Sequence, residues 1–465
     1  MAENFVSLKD DKSLVSGVEI HFLFPFSCPK SEEFKPNPNV WEEIDEAHWQ
    51  GSVDRLFGDD GHLKFRGPKT FTPNDLSAFS ETFRGTTRGT EEVYEYKMNQ
   101  VFIRLFRFGI GVLRFALTAS SSVSIQSVLN VQNGVMRLND PKSAGRLKRL
   151  NDYGQECGDF LPEKFIEQCL GKESEGKYTR DHETDRLFVF TLASISGLKD
   201  QTSMKVAAYK IATMEWTAED DVGARVLDTF YEENVFKKFV LNNGGLWSCF
   251  HRDAGSILVF EKLAEELAGV PFWNYARMKQ GHMNIYGSSW PFVALSLAEP
   301  VVFQRTFLRR LDEDLRGSLK RTGVDSDRAN LKEIKKLHAE LLRFRADYYG
   351  TPLSTTTGGC KHFEIWSGLC GITELRTELA EFVQNLDDYY GNVQQSSNQF
   401  RLDVLTVVLG FLGVAGLING IYSGYRDESK VEASQRDPYN AIVPSLISGA
   451  VILVAIIVIV VLKIR

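Results

Sequence analysis

The stretch Val404 to Tyr425, "VLTVVLGFLGVAGLINGIYSGY", contains no charged residue. At ~1.5 Å of rise per residue it makes a helix of roughly 33 Å, which matches the ~30 Å hydrocarbon thickness of a bilayer. A charged interruption, "RDESKVEASQRDP" (426–438), separates it from a second uncharged run, 439–462, dominated by "VILVAIIVIVV". Two neighbouring helices of that purity would need a very large apolar domain to bury them in water, so both runs are read as membrane-crossing helices.

The preceding ~400 residues have the make-up of a domain that folds in water. A quarter of the whole chain is charged, with a formal net charge of −7. That acidic balance gives no reason to expect nucleic acid, which calls for a basic stripe. The opening "MAENFVSLKDDKSLVSG" lacks a basic region followed by an apolar core, so no secretory signal is expected and the large domain is assigned to the cytosol. Six cysteines without repeated spacing fit a reducing compartment. Cys360, His362 and Cys370 lack a second ligand pair at zinc-like spacing.

The first two hundred or so residues read as mixed α/β. "GVEIHFLFPF" (17–26) alternates as a strand does, and "VFIRLFRFGIGVLRFAL" (101–117) gives two apolar runs around Gly109 and Gly111, the pattern of a hairpin or sharp bend. "RLFVFTLASI" and "GSILVF" are further strand candidates. "DFLPEKFIEQCL" and "ARVLDTFYEENVFKKFV" carry helical spacing, so a sheet with helical cover is expected. From about Pro300 two long amphipathic segments, 301–321 and 328–349, predict an antiparallel helical pair. "GTPLSTTTGGCK" (350–361) lacks the ending of a phosphate-binding loop and is read as a connector.

From Ile372 apolar residues fall at Leu375, Leu379, Phe382, Leu386, Tyr389 and Val393 in steps of three and four, the seam of a stalk helix that continues into the run at Val404. One helix from 372 to 422 would be roughly 75 Å long. A second stripe, one position away, comprises Asp388, Asn392, Gln395, Gln399, Leu402, Thr406, Leu409, Gly413 and Gly416. Turned inward in a ring of identical helices, it would enclose a polar funnel with an acidic mouth, closed by an apolar, dewetting collar. Close helix packing is the competing explanation for Gly413, Gly416 and Gly420, and a solvated helix face for "NVQQSSNQ". Asn419 is polar within the span and so a functional candidate.

A long helix running into a span with "VLT" at Val404 and, sixteen residues on, "GIY" at Gly420, then a short loop and a second span, resembles the CorA family of divalent-cation channels and transporters. The gapless match covers 402–422. The resemblance implies a homo-oligomer, a pentamer in that family, around one pore. Leu402 and Leu405 would lie at its gate, Gln399 on the funnel and Asp388 near an acidic axial position. The hallmark Gly-Met-Asn that follows "GIY" in the family is here Ser423, Gly424 and Tyr425, so the outer mouth would be Asn419, Gly420, Ile421, Tyr422 and these three.

The architecture expected is a CorA-like chain: a cytosolic α/β domain (1–298), a helical pair (299–350), a stalk helix (362–403), transmembrane helix 1 (404–425), an outer loop (426–438) and transmembrane helix 2 (439–462). It would be a multi-pass protein of the plasma (cell inner) membrane with both termini cytoplasmic. Its expected function is a membrane ion channel for metal ion transport, passing divalent cations such as magnesium and gated from the cytosolic domain. The alternative is a ligand-gated effector with a poorly selective pore. Expected partners are further copies of the chain, a lipid bilayer, divalent cations and a small cytosolic ligand. No cofactor is expected beyond a regulatory divalent cation (Mg2+), for which Asp312, Glu313 and Asp314 are candidates; no metal-binding residue is assigned. His251, Asp253 and His282 lack any accompanying catalytic motif, so no enzyme is expected.

Overall fold

The structure, a computed structural model, describes residues 5–6, 14–28, 36–44, 69–86, 92–138, 147–171, 179–180, 186–198, 200–214, 222–233, 235–236, 246–260, 290–320, 327–348, 357–385, 388, 402–403, 406 and 410. The chain divides into two units, Met1–Leu379 and Ala380–Arg465. The first is built on a fourteen-stranded sheet. Ten of its strands form a continuous path: β1 (Leu14–Ser27), β2 (Thr82–Thr86), β3 (Val93–Phe106), β4 (Ile110–Ala119), β5 (Leu147–Leu150), β6 (Glu156–Asp159), β7 (Phe188–Ser196), β8 (Val235–Phe236), β9 (Leu246–Phe250) and β10 (Ala254–Phe260). Their order across the sheet is β6-β5-β2-β3-β4-β1-β7-β10-β9-β8, with four short strands attached at the sides. The helices are α1 (Ile125–Met136), α2 (Pro162–Leu170), α3 (Gln201–Thr213), α4 (Ala224–Glu233), α5 (Trp290–Lys320), α6 (Asp327–Tyr348), α7 (Thr357–Leu369) and α8, which covers 372–385.

The central strands β3, β4, β1 and β7 pair antiparallel, and β7 and β10 pair parallel. A parallel pair needs a crossover, and the segment between these two strands carries α3 and α4. Pro25 sits inside β1, a position that normally argues against a central strand. It lies past Leu23, the last β1 residue paired with β7, so its missing N–H costs that ladder nothing.

Side chains alternate between the two faces of a strand. One face of the central strands carries Ile20, Phe22 and Phe24 of β1, Ile103 of β3, Leu113 and Phe115 of β4 and Val189 of β7. These pack with α1, α2 and α3 into one hydrophobic core. Gln132 of α1 knits that layer together, its Nε2 donating to Thr191 Oγ1 at 2.8 Å and to the Ile211 carbonyl at 3.1 Å. The helices start where the sequence caps them. Ser124 Oγ accepts from the Ser127 amide at α1, and the Asp200 carboxylate accepts from the Ser203 amide at α3. Those hydrogen bonds hold the Asp200 carboxyl below the usual carboxylate range. The opposite face of the sheet is covered by α5 and α7.

The expected strands at 17–26, 101–117, 186–195 and 255–260 are present, as are both members of the helical pair. The connector expected at 350–361 is helical from Thr357, and the long helix begins at Trp290, upstream of the boundary expected after residue 298. The expected fold class needs correction. The described residues form a mixed α/β fold dominated by its sheet, without a long stalk helix. No helix among them is long and apolar enough to cross a membrane. The physical reason is clearest in α5: from Trp290 to Gln304 its only charge is Glu299, but Arg305, Arg309 and Arg310 follow. Its apolar part therefore extends roughly 22 Å, short of the ~30 Å needed. With that correction go the transmembrane ion-channel description and the multi-pass placement in the plasma (cell inner) membrane with cytoplasmic termini. The runs 404–425 and 439–462 lie outside the described residues, apart from helical Thr406 and Gly410.

Gly111 tests the packing of β4 on β1. A Cβ there would lie 2.2 Å from the ring of Phe26, which is fully buried. Gly111→Ala should destabilise the fold by about 1–3 kcal/mol, read as a lower urea midpoint. Gly368→Ala, with open space around it in α7, should leave the midpoint unchanged or raise it.

Candidate functional site

The face under α5 should be apolar if its only role were packing, yet it holds charge. Alternation along β1 places Glu19 and His21 there, β3 contributes Arg104 and β4 contributes Arg114, while Glu299 enters from α5. Arg104, Arg114 and Glu299 are each at most 3% exposed. Glu299 bridges the two guanidiniums: its Oε1 accepts from Arg114 Nη1 at 2.7 Å and its Oε2 from Arg104 Nη1. The Arg114 guanidinium also lies 4.9 Å from the centre of the Phe102 ring. Burial pulls Arg114 down to about 10, against the opposing pull of Glu299. Beside this triad His21 Nε2 lies 2.9 Å from Glu19 Oε1, close in charge terms although neither atom makes a hydrogen bond of acceptable geometry. Two guanidiniums and two carboxylates balance formally, which is the condition for keeping such charges out of water.

A second junction lies at the tip of the β3–β4 hairpin. Phe108 has φ 66° and ψ 19°, and Gly109 has φ 69°. Glycine adopts that region freely; a phenylalanine there costs about 1–3 kcal/mol and must be held by its surroundings. The Phe108 ring lies among Phe307 of α5 and Phe344 and Tyr348 of α6, with ring centres 5.1 to 6.2 Å away. Its carbonyl accepts from Arg310 Nη1 at 2.6 Å, and Arg310 Nη2 reaches Glu340 of α6 at 2.7 Å. The hairpin tip is thus plugged between the two long helices. Further along the same face of the sheet Arg305 pairs with Asp253 at 2.9 Å, and Cys370 Sγ donates to the Arg252 carbonyl at 3.3 Å. There Trp366 of α7 packs on Phe188, Phe190 and Phe250. His362, fully buried against Phe250 and Trp366, is pushed by burial from 6.5 down to about 3.

Of the residues singled out in the sequence, Asp388 is helical and exposed, and Gln384 donates to it at 3.3 Å. Leu402 is helical and 57% exposed, and Thr406 Oγ1 donates to its carbonyl at 2.8 Å. Asn392, Gln395, Gln399, Leu405, Leu409, Gly413, Gly416 and 419–425 lie outside the described residues, as does His282. Asp312 is taken up by Arg316 at 2.8 Å, and among the described residues no group of three His, Cys, Asp or Glu could hold a metal ion. All six cysteines are free thiols. Asp253 serves a structural ion pair. No family model matches the chain, and no curated protein matches it.

Sequence reading missed the buried triad. The signal was there: a single arginine inside each of the apolar runs "VFIRLF" and "GVLRFAL", and a single glutamate in "WPFVALSLAEPVVF". A lone charge within a run too apolar to be a solvated face has to be buried with a partner.

Two outcomes test the site. Glu299→Gln leaves two guanidiniums buried without their carboxylate and should cost about 3–5 kcal/mol, whereas the combined Arg104→Met, Arg114→Met, Glu299→Leu variant should recover most of that loss; urea unfolding measures both. His362 binds a proton in the unfolded chain before it does in the folded one. Its contribution is therefore complete above pH 6.5 and is lost as pH falls toward 3, by up to ~1.4 kcal/mol per pH unit. His362→Phe should flatten the decline in urea midpoint between neutral and acid pH.

Proposed function

We propose that the chain controls the passage of divalent cations through an assembly of its own copies, with the α/β unit deciding when cations pass. The observation that carries this reading is the plug at Phe108: a strained residue, wedged between α5 and α6, joins the sheet directly to the helices that precede the C-terminal unit. Strained residues held by their surroundings recur in switch regions. The buried triad makes the connection stiff, so a change at the sheet is passed to α5 instead of being absorbed by a soft contact. The conducting path would be lined by the stripe from Asp388 through Gln399, Leu402 and Leu409 to Gly416, with Leu402 and Leu405 as its constriction. The resemblance of 402–422 to CorA proteins supports that assignment.

A second reading keeps the assembly and changes its use: an effector that opens a poorly selective path when the α/β unit binds a small ligand. The sequence Ser423-Gly424-Tyr425 favours it. A phenol there cannot repeat the hydrogen bonds by which an asparagine carboxamide holds the water shell of a cation that sheds water reluctantly.

The test is flux into liposomes reconstituted with the full chain and filled with a magnesium-sensitive dye, run in parallel with a potassium-sensitive one. Magnesium entry without potassium entry supports the selective reading, and entry of both supports the effector. Leu402→Asn should raise the resting leak, and Phe108→Ala should alter the response to internal magnesium while leaving the leak of the open state unchanged. Absence of flux of either ion, with and without internal magnesium, contradicts the proposal.

A further inference from the structure

Two helices of the chain carry unmatched charge of opposite sign. On α6 the residues Lys335, Lys336, Ala339, Leu342, Arg343 and Ala346 are exposed and follow one another at helical spacing along one side. Lys335, Lys336 and Arg343 have no ion-pair partner among the described residues, and Leu342 is 51% exposed in their midst. On α8 the buried seam is Ile372, Leu379 and Val383, and the exposed side carries Glu374, Glu378 and Glu381, a stripe that Asp388 prolongs. Glu374 and Glu381 likewise lack an ion-pair partner among the described residues, while Glu378 acts on Arg316.

The geometry points to a second copy of this chain as the occupant: we infer that the basic side of α6 in one copy docks on the acidic side of α8 in the next. Lys336 and Arg343 are seven residues apart, and so are Glu374 and Glu381. Seven residues bring a helix back to nearly the same side after ~10.5 Å, so two helices lying alongside each other can form both pairs in one register. The exposed Leu342 and Ala339 then fill the space between the two pairs with apolar contact. Complementary stripes on different helices fit either a two-fold pair, in which the α6–α8 contact forms twice, or a head-to-tail contact that closes into a ring; the assembled mass distinguishes the two. Exposed ion pairs contribute only about 0–1 kcal/mol each; their role here is to select the partner and fix the register. The interface deepens the assembly proposed above and rests on that reading for its purpose.

Three basic groups on one side of a helix could also meet an anionic lipid surface, but that occupant leaves the acidic stripe on α8 without a role. The experiment uses the full chain in detergent, its mass distribution measured by mass photometry and sedimentation velocity, with circular dichroism and thermal melting to verify folding. Lys336→Glu/Arg343→Glu and Glu374→Lys/Glu381→Lys should each lose the assembled species while melting like the wild type, because all four positions are exposed. Combining all four changes in one chain re-creates both pairs with their signs exchanged and should restore an assembly of wild-type mass whatever its subunit number, and raised salt should weaken it. Assembly of either variant alone at wild-type level, failure of the fourfold variant to assemble, or loss of binding to anionic vesicles with assembly intact would each overturn the interface. Flux measured on the same samples separates the two proposals: flux with assembly intact in both variants removes this interface and leaves the function standing, and assembly that behaves as expected without flux does the reverse.

Discussion

The first unit depends on one carboxylate. Glu299 is the only charge in the first half of α5, and it is driven under the helix by the apolar residues around it, into a position where water cannot reach it. An isolated buried carboxylate is strongly unfavourable; one held between two guanidiniums is tolerated, and it also fixes where the helix lies. Arg104 and Arg114 come from neighbouring antiparallel strands, so a slip of α5 by one residue, or of β4 against β3, would leave a buried charge unmatched. The triad is therefore better understood as a device that sets register than as a source of stability.

Fixing α5 determines the rest of that face. Phe303 and Phe307 are positioned to meet Phe106, Phe108 and Phe344. Arg310 can then reach the carbonyl at the hairpin tip, and Arg305 the turn before β10. The strained backbone at Phe108 exists only because the aromatic cluster encloses its ring. Binding energy in α5 is thus used at the tip to hold a conformation that the local sequence disfavours.

Much of this was legible in the sequence. The strands at the centre of the sheet were visible because each alternates or runs apolar between turn residues, and the bend at Gly109 is where the hairpin reverses. The helical pair showed in its three-and-four spacing. The triad was not seen, because a lone charge in an apolar run signals burial without naming its partner; Glu299 and its two arginines lie 185 or more residues apart in sequence and meet only in the fold. The span reading went beyond the described structure for the opposite reason. Hydropathy reports how apolar a run is and nothing about what covers it, and it was the sole basis for reading 404–425 and 439–462 as spans; Val301, Phe303 and Phe307 of α5 show equally apolar residues fully buried within the first unit.

The register role of Glu299 is tested most directly by native-state hydrogen exchange on the full chain, comparing wild type with Glu299→Gln. Amides of α5 and of β4 should exchange together in the wild type, as one cooperative unit, and in the variant α5 should open first while β4 stays protected. If α5 exchanges independently of β4 in the wild type, or if the variant leaves their relative protection unchanged, the charge cluster does not fix the helix to the sheet.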